Sequence, residues 1–190
     1  MQASRCRPVL VIAVTDGEAS HGATDKLVSE QLAEVRKRES LRGLHKLGLS
    51  PSVVIRLGLP DGGVSTYGDD LAETLQRTLR PADTVVTTWR LDGHPDHEAV
   101  SAATSLACAS MNCKFFQCPV WMWHWSHPED GRIAWNELAA LALPAGVLRL
   151  KLQALDCHRS QLIPRQGGQP QVLVPTIVDR AARSFEYFFS

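Results

Sequence analysis

Thr84-Val85-Val86-Thr87-Thr88-Trp89-Arg90-Leu91-Asp92-Gly93-His94-Pro95-Asp96-His97-Glu98 is the stretch that decides the fold. Thr84 to Thr88 is a β-branched run and reads as a strand; Pro95 to about Met111 reads as the helix after it, because proline suits the first helical turn. Two histidines and two aspartates therefore crowd the carboxyl end of a strand, where open α/β sheets bind ligands. With His94 at the cap and His97 about one turn inside, both imidazoles look into one cleft, since residues three apart share a helix face. A neutral imidazole is a good zinc ligand, and the positive end of the helix favours the neutral form by up to about 2 kcal/mol. Asp96 is placed to orient one ring through its second nitrogen. The same residues also suit a polar cap on a surface turn, and spacing alone leaves both readings open.

Working outward, Val9 to Val14 reads as a buried parallel strand that opens into Thr15-Asp16-Gly17-Glu18. Leu27 to Leu47 reads as an amphipathic helix stopped by Gly48. Val53 to Leu57 is a second strand, and Asp69 to Leu79 a helix with Asp69 as a candidate cap. Phe115 to Trp125 reads as a further extended stretch, with Trp121, Trp123 and Trp125 on one face and His124 on the other. Asp130 to Ala145 is ambiguous. Leu148 to Gln161 reads as helix, Thr176 to Arg183 as a short helix and Phe185 to Phe189 as a last strand. Strands alternating with helices predict an α/β fold, a doubly wound and mostly parallel sheet covered on both faces. The 190 residues read as one domain, 1–190.

Twenty basic residues balance twenty acidic ones, which favours neither nucleic acid nor an anionic membrane as partner. The longest apolar run near the start is too short for a membrane span. Five cysteines, without a Cys-x-x-Cys pair, suggest reduced thiols and a cytoplasmic location. Cys108, Cys113 and Cys118 recur every five residues. Small buried hydrophobes explain them better than a zinc site.

Gly93-His94-Pro95-Asp96-His97 resembles the second signature of the PIG-L/LmbE-like deacetylases, zinc-dependent enzymes that remove acetyl groups from N-acetylglucosamine-type sugars. Other segments match in the same order: Val14 to His21, Arg36-Lys37-Arg38-Glu39 followed by Leu47-Gly48, and Leu59-Pro60-Asp61-Gly62. Further on come Trp121 to Trp125, then Lys151 with His158-Arg159-Ser160-Gln161, and Glu186-Tyr187-Phe188. The resemblance implies a Rossmann-like sheet and an amino-sugar conjugate as substrate. It implies zinc as cofactor, with His97 as a metal ligand. It makes His94 the group that stabilises the oxyanion or assists the leaving group, and Asp96 a support for the histidines. It also turns Arg36 towards the substrate.

The family's first signature, His-Pro-Asp-Asp-Glu, supplies two more zinc ligands and the general base. Nothing before Val9 matches it: Met1 to Pro8 hold neither His nor Asp. The expectation is a chain that lacks the family's first, central strand, a unit of roughly 30 residues with its helix. Val9–Val14 and Val85–Thr88 would then lie in separate pairings with open edges, which invites a homo-oligomer. The metal site would be incomplete, leaving catalysis in this chain in doubt. A non-catalytic relative that binds a sugar or a protein is the alternative. His127-Pro128-Glu129-Asp130 imitates the missing signature but trails the aromatic stretch. Asp16 and Glu18 read equally as cleft-lining substrate contacts and as loop caps.

Overall fold

In the computed structural model, residues 8–19, 25–50, 53–164, 168 and 170–190 are described. His21 and Cys6 lie outside them. The chain divides into two compact units, Met1–Gly58 with Arg149–Val172, and Leu59–Leu148 with Leu173–Ser190.

In the first unit, β1 (Val11–Ala13) pairs in parallel with β2 (Val54–Arg56), Ile12 opposite Ile55. Between them runs α1 (Lys26–Lys46). Asp25 caps it by accepting the N–H of Leu27 at 2.8 Å, which leaves its last turn to His45 and Lys46, suited to the negative end of the helix. Glu39 is buried on α1 and accepts the N–H of Ser160 at 2.8 Å and its hydroxyl at 2.6 Å. Ser160 belongs to the short helix α6 (Arg159–Leu162), which follows α5 (Ala145–Leu155). The Arg-x-x-Glu and His-x-Ser-Gln segments singled out in the sequence are thus held together by a buried carboxylate.

In the second unit, β3 (Thr84–Thr88) pairs in parallel with β4 (Lys114–Cys118), in register Thr84 to Lys114. The crossover is α3 (Pro95–Met111), which packs on β3 and on α2 (Gly68–Thr78). Leu71, Ala72 and Leu75 of α2 and Ala103 and Ala107 of α3 are buried, small enough on the α3 side for the two helices to approach closely. An antiparallel pair, β5 (Ala139–Ala142) with β6 (Phe185–Phe188), joins β4 through the reciprocal bonds of Gln117 and Phe189, both 2.8 Å. The remaining helices are α4 (Met122–Trp125) and α7 (Pro175–Ala181). The core beneath the β3–α3 junction is Trp89, Met122, Ile133 and Phe189, with Trp89 and Phe189 stacked at 4.7 Å and Trp123, Trp125 and Trp135 packed against it.

Three expectations change. Asp69 does not cap α2; it lies in the first turn, and the cap is Tyr67, without a side-chain bond. The aromatic stretch is strand only as far as Cys118. Beyond Pro119 it curls into α4, so the three tryptophans do not share a strand face. The ambiguous Asp130–Ala145 segment contains β5, although alanine and leucine favour helix; pairing with β6 overrides local propensity. Among the described residues the strands form two parallel pairs and one antiparallel pair, which keeps the α/β class. No helix there is long and apolar enough to cross a membrane.

Candidate functional site

The site grows from the end of β3. Thr88 donates its hydroxyl to the carbonyl of His97 at 2.8 Å, which ties the strand to the first turn of α3. Gly93, at φ +81°, turns the chain between them, and its N–H is accepted by Glu98 at 3.0 Å. His94 takes the cap position in extended backbone and Pro95 begins the helix. The His94 and His97 rings end up stacked, 4.5 Å between centroids. The sequence spacing therefore brings the two imidazoles together as expected.

Asp92, a residue the sequence did not single out, holds this pair in place. It is fully buried. One carboxylate oxygen accepts the N–H groups of Val120 at 2.9 Å and Met122 at 2.8 Å. The other accepts the N–H of Trp121 at 2.8 Å and meets His97 Nδ1 at 2.5 Å. Burial alone would raise the carboxyl pKa, but the bonds from His97, Met122, Trp121 and Val120 together hold it below the usual carboxylate range. Asp92 is therefore an anion that accepts the Nδ1–H of His97. The three consecutive N–H groups are those that open α4, so one carboxylate both orients the imidazole and starts the turn.

Asp96 is placed differently. Its oxygens accept the N–H of Gly62 at 2.6 Å and of Val64 at 3.1 Å, which pins the Leu59–Val64 loop to α3. Its link to the histidines is electrostatic, through His94. The carboxylate hydrogen-bonded to a ring is Asp92, not Asp96. Asp96→Asn is expected to cost about 1–3 kcal/mol, because its amide turns a donor towards one of the two N–H groups. Urea unfolding checks this, and a loss below about 0.5 kcal/mol contradicts it.

Trp121 meets His94 edge to face at 5.5 Å, and His124 stacks on Trp121 at 4.1 Å. This places His124 beside the site rather than on an opposite strand face. His94 Nδ1 is buried and has no hydrogen-bond partner among the described residues. Burial, then the neighbouring His97, lower the His94 pKa; burial lowers that of His124. Both rings are thus neutral at pH 7. His158, in the first unit, is lowered by burial as well.

For a histidine with a depressed folded pKa, both states are neutral above about pH 6.5, and below it the unfolded chain takes up protons first. Stability is therefore expected to fall as pH drops from about 7.5 to 5.5, seen as a falling Tm. An unchanged or rising Tm across that range contradicts the burial of these rings.

The remaining candidates lie in the first unit. Asp16 is paired with Arg56 at 3.0 Å and Lys37 at 3.2 Å. Arg36 donates to the Gly17 carbonyl. Glu18 is half-buried in the turn after β1. In the second unit, His127 is largely exposed, and Asp130 is bonded to Arg132 at 2.6 and 2.9 Å, so the His-Pro-Glu-Asp segment closes a surface turn.

Among the described residues no group of three or more His, Cys, Asp or Glu side chains is arranged to hold a metal ion. His97 is a ligand of the right kind, with its outer-shell carboxylate in place, but a catalytic zinc takes three protein ligands. The described residues do not by themselves fit a complete metal centre.

The paired imidazoles thus stand at the strand end of an α/β unit. The family described as PIG-L: GlcNAc-PI de-N-acetylase matches residues 2–108. The chain belongs to this family. No curated protein matches it. Among solved structures, the crystal structure of a conserved protein from Thermus thermophilus is similar with a TM-score of 0.61 and 21% identity, over 96% of this chain and 93% of that one. That likeness shows the fold.

Proposed function

We propose that this chain, as one domain spanning 1–190, is a zinc-dependent hydrolase that removes the acetyl group from N-acetylglucosamine-like conjugates in the cytoplasm. Membership of the family supports deacetylase-type hydrolysis. The observation that carries the reading further is the Asp92–His97–His94 arrangement. In it His97 serves as a metal ligand, its Nδ1 proton held by Asp92 so that Nε2 is presented to the site. His94, kept neutral by burial, donates an N–H to the oxyanion that develops on the acetyl carbonyl. Of the described residues His97 would hold zinc, and the chemistry that the metal would supply there is activation of water. Asp96 supports both histidines by fixing the first turn of α3. Arg36, Asp16 and Glu18 are assigned to the sugar conjugate. The doubly wound arrangement of the sheet belongs to the same proposal, and so does self-association through open strand edges.

The test is release of free amine from an N-acetylglucosaminyl conjugate in the presence of Zn²⁺, compared with His94→Ala. The expected loss is about 10²–10³-fold in kcat. Release no greater than that of His94→Ala contradicts the reading. One observation favours a second one: the described residues hold no three-ligand cluster. A relative that binds the sugar conjugate without cleaving it would show saturable binding of the same compound with no amine released.

A further inference from the structure

Two of the cysteines spaced five apart in the sequence meet at the far end of α3. The helix ends at Met111, and Asn112 adopts the left-handed conformation at φ 52°. The N–H of Asn112 and then that of Cys113, at 3.0 Å, turn back to the carbonyl of Cys108. In this type of helix end the residue after the left-handed one touches the side chain three residues inside the helix, usually through an apolar contact. Here both positions are cysteines, which the two backbone bonds to the Cys108 carbonyl bring side by side.

We propose that Cys108 and Cys113 are a peroxide-sensitive dithiol that closes into a disulfide across the C-terminal cap of α3. Cys108 is 3% exposed, whereas Cys113 is partly exposed and donates its thiol to the Arg80 carbonyl at 3.3 Å. The oxidant therefore meets Cys113 first. Burial, then the neighbouring Cys113, push the Cys108 thiol up to about 11, so it is the poorer nucleophile towards peroxide and reacts only with a sulfur already oxidised beside it, losing its proton to the departing hydroxyl.

Cys113 attacks one oxygen of hydrogen peroxide. The O–O bond breaks, the thiol proton leaves with the departing hydroxide as water, and Cys113 becomes a sulfenic acid. The Cys108 sulfur then attacks the Cys113 sulfur. The S–O bond breaks, the S–S bond forms, and the Cys108 proton leaves with the hydroxyl as a second water. Each sulfur has lost one electron, and the peroxide has taken both. The Cys113 donor to Arg80 is lost in the process, at the point where the chain enters β3 and β4. The first residue of β4 is joined there to the residue before β3 by the bond from Lys114 N–H to the Asp83 carbonyl at 2.8 Å.

The experiment is a hydrogen peroxide titration of the folded 190-residue protein, with alkylation of the remaining thiols and peptide mass spectrometry. A linked Cys108–Cys113 peptide is expected at a peroxide dose at least about tenfold below that which oxidises Cys157, and dithiothreitol should reverse it. Cys113→Ser, at a partly exposed position, should abolish the link without unfolding the protein. In Cys108→Ala, dimedone should trap the Cys113 sulfenic acid. Full alkylation of both cysteines at the dose that oxidises Cys157 overturns the proposal. So does conversion of Cys113 to a sulfinic acid while Cys108 stays reduced.

Discussion

Asp92→Ala is expected to destabilise the protein by about 3–5 kcal/mol, the range seen when one partner of a buried charged network is removed. The carboxylate has no exposure and accepts from three successive backbone N–H groups as well as from His97. Truncation leaves all of these donors without an acceptor, and each buried orphan costs about 1–3 kcal/mol, less when they relax together. The double variant Asp92→Ala/His97→Ala should lose less than the two single losses added, because the bond between them is then counted once. Urea unfolding reads both effects; a single-variant loss below about 1 kcal/mol contradicts this account. Acid acts on the same group. Its folded pKa lies below the unfolded value of about 3.9, so its contribution is complete above that pH and disappears as pH falls through the depressed value.

Gly93→Ala is the second large effect, expected at about 2–4 kcal/mol. A methyl group there would lie 2.5 Å from Trp125 Nε1 and 3.1 Å from its Cδ1, on a backbone at φ +81°. The indole must move, and its bond to the Asp92 carbonyl at 2.8 Å goes with it. Trp125 also packs on the aromatic core and lies under Arg132 at 4.5 Å, so it has little room to yield. Gly48 has the same φ of +81° with nothing within 4 Å of the added methyl. Gly48→Ala should therefore show the backbone strain alone, about 1 kcal/mol. Equal losses in the two variants, measured by urea unfolding, would count against the close approach of Trp125.

The β3–α3 junction is legible in the sequence because its signals are local. Thr84 to Thr88 is β-branched, Pro95 marks a first helical turn, and both elements have the expected bounds. The pairing of His94 with His97 follows from the same helix geometry. Asp92, counted among the polar residues at the strand end, received no role because it precedes the helix, and helical periodicity does not extend to it. Only the turn at Gly93 returns its carboxylate to His97. The one available signal was an aspartate followed by glycine just ahead of a histidine cap. Asp96, inside the helix, attracted the role that Asp92 holds. The tryptophans misled for a related reason: alternation suggested a strand, but capture of three backbone N–H groups by a distant carboxylate wound the segment into α4. For Ala139–Ala142 the deciding partner, Phe185–Phe188, is distant in sequence, beyond the reach of any local pattern.

The central claim is that a buried Asp92 anion fixes His97 with its proton on Nδ1, beside a neutral His94. Long-range ¹H–¹⁵N spectra of the imidazole rings in the metal-free protein at neutral pH test it most directly. The account predicts that His97 is the Nδ1–H tautomer, with a slowly exchanging, strongly downfield ring proton that vanishes in Asp92→Ala, and that His94 is uncharged. A His97 ring protonated on Nε2, or one whose signals are unchanged in Asp92→Ala, would contradict it.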